Sequence, residues 1–275
     1  MLGLSTRNVG DEWLRILDRA SSGRPHNGFI LEASPLPRPP ITQLGPSHME
    51  KRFFTVKLDK QSKEDALVNG DQEQYPYNSD GWRHPLVLYA DGVLDEGNLG
   101  AIARSAYFLG VDAIVTPIRQ SAPWSHIALK ASAGAAEAIP IFAVNQAADF
   151  LAKSAREGWK IYASDAIAPQ KSTPGSSTSS TSETNIVYAH AKSSKPVLDH
   201  HPVASHPTIL MMGAEGSGLR NTLLNQAHYK IGIRAGRNVA AAGVDSLNVS
   251  VAASLLCFEV LKKPVVKEKS ADQLF

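Results

Sequence analysis

The sequence predicts an α/β fold with a mostly parallel sheet flanked by helices, and three observations carry that prediction. From "HPLVLYADGV" (84–93) onward, short β-branched runs alternate with Ala-rich helical ones, the pattern of parallel strands joined by crossover helices. Within "DGVLDEGNLGAIARSAYFLGVDAIV" (91–115) a strand end passes through a turn into a helix. The chain has 275 residues and is 43% hydrophobic, which suffices for one substantial core with room for a partial second domain.

In chain order, an amphipathic helix is expected around 11–20 and a short apolar strand at "GFILEAS" (28–34). Between 35 and 83, prolines and charges crowd the chain ("PLPRPP", "KLDKQSKED", "NGDQEQYPYNSDG") with no sustained period, so 38–83 reads as a linker or extended arm. Strands follow at 86–90, 112–116, 139–143, 160–164, 208–212 and 229–233. Leu99, Ile102, Ala103 and Ala106, spaced i, i+3, i+4 and i+7, form the buried stripe of the helix after the first of them. The Ser/Thr tract "KSTPGSSTSSTSETN" (171–185) is unable to bury a core and reads as a disordered surface insertion. An apolar helix over 249–261 closes a main domain of 84–264, leaving 265–275 as a tail. There is no internal repeat.

Composition narrows the function classes. A net charge of +2 permits a nucleic-acid partner without arguing for one. The single Cys257 lies in an apolar helical run, which excludes a disulfide framework and a thiolate metal site and suits a reducing compartment. No run of about 18 uncharged apolar residues exists to span a membrane. The first residues carry Asp11 and Glu12 and no Arg-rich amphipathic run, a poor transit peptide.

Three stretches have the residue types for chemistry. In the first, Asn98 opens the helix and Arg104 lies off its buried stripe. One reading is an N-cap and a solvated Arg. The other is ligand contact, since open α/β sheets bind ligands beyond their strand C-termini and an Arg fork grips phosphate. In the second, "ILMMGAEGSGL" (209–219), a buried strand breaks into a loop of three glycines and one carboxylate, Glu215. Such a loop lets backbone N–H groups approach a ligand, or is a turn with Glu215 capping the next helix. It lacks the Gly-Lys-Ser/Thr of a phosphate loop, and no dinucleotide fingerprint follows the first strand. In the third, "GVDSLNVS" (243–250), Asp245 or Ser246 suits an N-cap. Capping takes one side chain, however, and Asn248, two positions beyond Ser246, does not share its helix face.

Taken together, Asn98 with Arg104 six residues on, then "GAEGSGL", then "VDSLNVS" resemble the three motifs of the SpoU (TrmH-like) branch of the SPOUT methyltransferases. The resemblance covers roughly 84–262, and "KASAGAAEAIPIF" (130–142) is similar too. It implies a SPOUT trefoil-knot fold with the knot at the C-terminus, and transfer of a methyl group from S-adenosyl-L-methionine to a ribose 2′-hydroxyl of RNA. It implies Arg104 as the residue stabilising the transition state, with Asn98, Glu215, Ser246 and Asn248 positioning ribose, phosphate and Arg104. Gly213, Ala214, Gly216, Ile233, Leu247 and Asn248 would hold the cofactor, and no metal is implied. The run "IRAGRNVAAAG" (233–243) replaces a Pro-Met pair common in the family, which leaves the cofactor contacts around 234–242 open. The partner would be RNA, ribosomal RNA first, and the chain a homodimer through the 249–261 helix. "SSGRPHNGFILEASPLP" (21–37) looks like the end of an L30e-like RNA-binding domain, making 1–37 its remnant and pointing to the mitochondrial large-subunit enzymes. The alternatives are a transfer-RNA ribose methyltransferase and a non-catalytic knotted RNA-binding factor.

Overall fold

A computed structural model describes residues 8–21, 26, 28, 30, 33–165, 185–237 and 246–264. The chain divides into two compact units, Met1–Pro35 and Leu36–Phe275. In the first, a 3-10 turn (Asp11–Trp13) runs into α1 (Leu14–Ala20), the helix expected there, and Asp18 meets His26 at 3.1 Å. Of the strand expected at 28–34, Gly28, Ile30, Ala33 and Ser34 are not in strand, and the rest lies outside the described residues.

The second unit begins with a small antiparallel sheet, β1 (Ile41–His48), β2 (Phe53–Leu58) and β3 (Gln74–Pro76), with α2 (Lys63–Asn69) between its last two strands. The expectation of a linker over 38–83 is therefore corrected. Phe54 and Val56 alternate inward on β2 and, with Ile41 and Leu44 of β1, are nearly inaccessible. A period of two over six residues is enough for a strand, and the surrounding prolines and charges obscured it. Among the bonds that tie this sheet and its leading segment to the main core, Trp159 Nε1 donates to the Gly45 carbonyl at 2.8 Å, Leu44 N donates to Ser154 Oγ at 3.0 Å, and Ala143 N donates to the Pro39 carbonyl at 3.2 Å. The last of these covers an edge of the main sheet that would otherwise expose unpaired backbone.

The main sheet has eight strands: β4 (Leu86–Ala90), β5 (Ala113–Pro117), β6 (Ile141–Val144), β7 (Lys160–Ser164), β8 (Ile186–His190), β9 (Pro196–Val197), β10 (Thr208–Met212) and β11 (Tyr229–Ile233). Their spatial order is β6-β5-β4-β10-β7-β11-β8-β9; the first six run parallel, and β8 and β9 are antiparallel at one edge. Six of these strands match the expected ones within two residues. β8 and β9, beside the Ser/Thr tract, were not anticipated.

The helices are α3 (Glu96–Leu109), α4 (His126–Ser132), α5 (Ala135–Ala138), α6 (Ala147–Arg156), α7 (Pro202–Ser205), α8 (Asn221–Leu224) and α9 (Val249–Val260). Strands β4, β5 and β10 are buried at every residue, as a parallel sheet covered on both faces requires. Leu86, Leu88 and Ala90 face a layer that includes α3, α4 and α9, whereas Val87 and Tyr89 face α6, α8 and the small sheet. The predicted α3 stripe of Leu99, Ile102, Ala103 and Ala106 is buried to 1% exposure or less. Burying Leu99 and Ile102 contributes about 1.5–3 kcal/mol each. The Ser/Thr tract over 171–184, the tail over 265–275 and the part of the expected knot over 238–245 lie outside the described residues.

Candidate active site

The site assembles beyond the C-terminal ends of β4 and β10, where the N-terminus of α9 meets two loops. Asp95, not Asn98, caps α3: its Oδ1 accepts the Asn98 backbone N–H at 2.6 Å. That corrects the capping reading of Asn98 and frees its amide side chain. Likewise the cap of α9 is not Ser246, and Asp245 lies outside the described residues. Asn248 is the cap, its Oδ1 accepting from Ser250 N at 3.0 Å and Val251 N at 3.4 Å. The other end of the same amide, Nδ2, donates to Asn98 Oδ1 at 3.0 Å and Glu215 Oε1 at 2.8 Å. Asn98 Nδ2 also donates toward Glu215 Oε1 at 3.4 Å.

Glu215 caps a helix too, but a distant one. Its Oε1 accepts from Val249 N at 3.0 Å, whereas the following helix α8 has Arg220 at its N-cap and no side chain bonded to its first N–H groups as a cap. Glu215 and Asn248 thus satisfy the first three N–H groups of α9, and a carboxylate at that positive helix end is favourable. One residue from each of the three predicted motifs meets in this network.

The loop between β10 and α8 is closed on itself. Ala214 N donates to the Gly218 carbonyl at 3.2 Å and Gly218 N to the Ala214 carbonyl at 2.9 Å, which puts Glu215, Gly216 and Ser217 at the exposed tip. A Cβ on Gly213 would sit 2.4 Å from the backbone of Gly218 and Leu219, so any side chain there opens the turn. Gly216 has φ +81° and free space around it, the left-handed conformation that glycine takes without strain.

Sequence reasoning missed what fastens this loop. Asp91, at the end of β4 and 3% exposed, accepts from Arg220 Nε at 3.0 Å and Nη2 at 2.8 Å. Its N–H donates to the Met212 carbonyl at 2.8 Å. A signal was available: an Asp directly after a fully buried strand must find a cation or donors, and Arg220 directly follows the glycine loop.

The other expected residues are placed as follows. Arg104 is exposed on α3 and forms no ion pair among the described residues. Six residues along an α-helix put it roughly 9 Å from Asn98 and about a third of a turn around, so the structure does not join it to the network. It shares a face with Tyr107 and Phe108, both exposed. Ser246 and Leu247 are exposed just before α9, and Ile233 ends β11 half-buried. Gly213, Ala214 and Gly216 flank Glu215 in the closed loop, and Leu247 directly precedes Asn248. Among the described residues no group of three His, Cys, Asp or Glu is placed to hold a metal.

Residues 85–258 match the SpoU rRNA Methylase family. The chain is 32% identical over 247 residues to a Schizosaccharomyces pombe protein named rRNA methyltransferase 1, mitochondrial, covering 89% of this chain and 71% of that one. It is 32% identical over 186 residues to the 23S rRNA (guanosine-2'-O-)-methyltransferase RlmB of Pseudomonas syringae, covering 67% and 61%. Other mitochondrial relatives are longer, the chain spanning 40%, 55% and 56% of their length. Among solved structures it is similar to the AdoMet-bound rRNA methyltransferase of Sinorhizobium meliloti, with TM-score 0.47 and 25% identity over 65% of this chain and 56% of that one. With the family match spanning all three motifs, this chain belongs to the SpoU rRNA methylase family.

Proposed function

We propose that the chain methylates a ribose 2′-hydroxyl of ribosomal RNA, a guanosine of the mitochondrial large-subunit RNA, with S-adenosyl-L-methionine as donor. The observation that carries this is the Asn98–Glu215–Asn248 network, which draws the three motifs of a methylase family to one solvent-accessible point. The ribosomal and guanosine parts rest on the names of the relatives, and the mitochondrial part on the first of them. The trefoil knot and the L30e-like remnant belong to the same reading and are supported by family membership and by "SSGRPHNGFILEASPLP" respectively.

S-adenosylmethionine supplies an activated methyl group whose sulfonium leaves as a neutral thioether. What remains for the protein is alignment and charge stabilisation. In this reading Gly213, Ala214, Gly216, Ile233 and Leu247 hold the cofactor, with Asn248 at the border. Glu215, bonded to Val249 N and Asn248, orients the Asn98 and Asn248 amides toward ribose and phosphate in this reading. Ser246 adds a hydroxyl at the mouth. Arg104 stabilises the developing alkoxide; a guanidinium is a reluctant proton acceptor, so its role is electrostatic.

The unit is a homodimer in this reading. Val251, Leu255 and Phe258, spaced i, i+4 and i+7, leave an apolar stripe on α9 that is 41–62% exposed, and α3, which packs against α9, also exposes Tyr107 and Phe108. A second copy would cover it and bring Arg104 into the interface. Light scattering checks the stoichiometry, and a clean monomer at micromolar concentration would remove the dimer. The function itself is tested by methyl transfer from labelled cofactor to large-subunit RNA fragments, with the modified positions mapped. No transfer to any ribosomal fragment by protein that binds the cofactor would overturn it, and transfer to transfer RNA alone would replace the substrate.

A further inference from the structure

At the opposite end of the sheet from the three-motif network lies an open cleft of about 520 Å³ lined by Lys160, His190, Lys192, Lys195, His228 and Tyr229. Lys160 and Tyr229 begin β7 and β11, which run parallel with β10, and His190 pairs with Tyr229 across the antiparallel β8. Five-residue strands put the cleft roughly 15 Å from the glycine loop. Nothing in the proposed methyl transfer uses it.

Its chemistry is one-sided. No Asp or Glu lines it, and Lys160, Lys192 and Lys195 form no ion pair among the described residues. Positive charge without a local counter-ion seeks an anion. His228 is held in a defined state: its Nδ1 accepts the Ile161 N–H at 3.1 Å, which leaves the neutral ring's proton on Nε2 as a donor. The field of Lys160 and Lys192, after burial, holds the His228 imidazole below its ordinary pKa.

A row of rings ends at the same place. Tyr162, Tyr229 and His190 are register partners on β7, β11 and β8. The Tyr162–Tyr229 centroids are 4.9 Å apart at 15°, and His190–Tyr229 5.3 Å apart at 34°. Tyr162 is fully buried and His190 exposed, so the row presents its last ring to solvent beside the three lysines. Cations for a backbone together with an open aromatic face are the two elements by which proteins hold unpaired nucleotides.

We propose that this cleft is a second RNA-binding site, taking a backbone phosphate of single-stranded RNA among Lys160, Lys192, Lys195 and the His228 N–H, with the adjoining base on His190. The choice of RNA over other polyanions rests on the methylation reading, but the test does not depend on methyl transfer. Lys192 and Lys195 lie exposed in the turn between β8 and β9, so Lys192→Glu/Lys195→Glu should fold as the wild type does, which a thermal melt checks. Binding of a short fluorescein-labelled single-stranded RNA is followed by anisotropy over a series of salt concentrations, with cofactor binding measured by calorimetry in parallel.

The charge reversal should weaken RNA binding by about tenfold or more and lower the salt slope by roughly 0.7, one single-strand phosphate contact. His190→Ala should weaken it a few-fold with the slope unchanged, and cofactor affinity should hold in both variants. Unchanged RNA affinity and slope in the folded double variant overturns the proposal, as does a wild type that binds no RNA. Charge-dependent RNA binding by a protein that transfers no methyl group supports this site while refuting the methylation reading. If the double variant loses binding to polyglutamate but keeps RNA, the cleft docks acidic polypeptide and the RNA assignment is wrong.

Discussion

Asn248 works with both ends of one amide: Oδ1 starts a helix and Nδ2 grips Asn98 and Glu215. Asn248→Ala should therefore cost about 1–2 kcal/mol in denaturant unfolding, the size of a lost cap, and also lower methyl transfer. Asn248→Asp keeps the capping oxygen but turns a donor into a carboxylate facing Glu215, so it should lose activity out of proportion to stability; equal losses in both assays would refute the dual role. Arg104 is the contrasting case, exposed and unpaired among the described residues. Arg104→Ala should leave stability within about 0.5 kcal/mol while single-turnover methyl transfer falls roughly 10²-fold at unchanged cofactor affinity, and Arg104→Lys should rescue poorly. Wild-type turnover in Arg104→Ala would make it a solvated helix residue. The spacing of Ser246 and Asn248 pointed to two polar side chains at one helix entrance, and the structure makes the second of them the cap. The sequence favoured Asp245 or Ser246 as the cap, because Asp, Ser and Asn are all competent caps and local residue type does not decide where the first helical turn begins.

Elements differ in how openly the sequence declares them. β4, β5 and β10 are short continuous apolar runs, and such runs have few alternatives once helices flank them. β1 and β2 hide a short alternation among prolines and charges, and the two-residue β9 has no periodicity to read. The Asp91–Arg220 and Arg83–Asp112 bonds span 129 and 29 residues, separations that no local pattern encodes. The second of these fixes β4 against β5: Arg83 meets both Asp112 oxygens at 2.7 and 3.0 Å, and Asp112 also accepts from Leu86 N at 2.8 Å, with both side chains about 5% exposed or less. Removing one partner strands the other charge, so Asp112→Ala should destabilise the protein by about 3–5 kcal/mol. A thermal melt showing less than about 1 kcal/mol would mean that water reaches Arg83 readily.

For the molecule as a whole, acid sensitivity follows from half-buried imidazoles. His206 bonds to the Tyr162 hydroxyl at 2.9 Å, and burial first, then His200, Lys160, His84 and His228, lower its pKa from 6.5 to about 4. Burial also lowers His200 and His228. Between about 6.5 and about 4 the unfolded chain binds more protons than the native one, so stability must fall as pH falls through that window. Urea midpoints should decline across it, and less steeply in His206→Asn; a flat profile would contradict the burial. The Asn98–Glu215–Asn248 network has a further consequence, one of timing. Its bonds close spans of 117 and 150 residues, an entropic demand of roughly 4 kcal/mol for a flexible loop of that length. Helices form in about a microsecond while contacts so remote in sequence arrive late. A refolding chain should therefore recover its far-ultraviolet dichroism first and its cofactor binding last, and a nascent chain carrying β4 and α3 alone remains chemically silent until α9 has been made and docked.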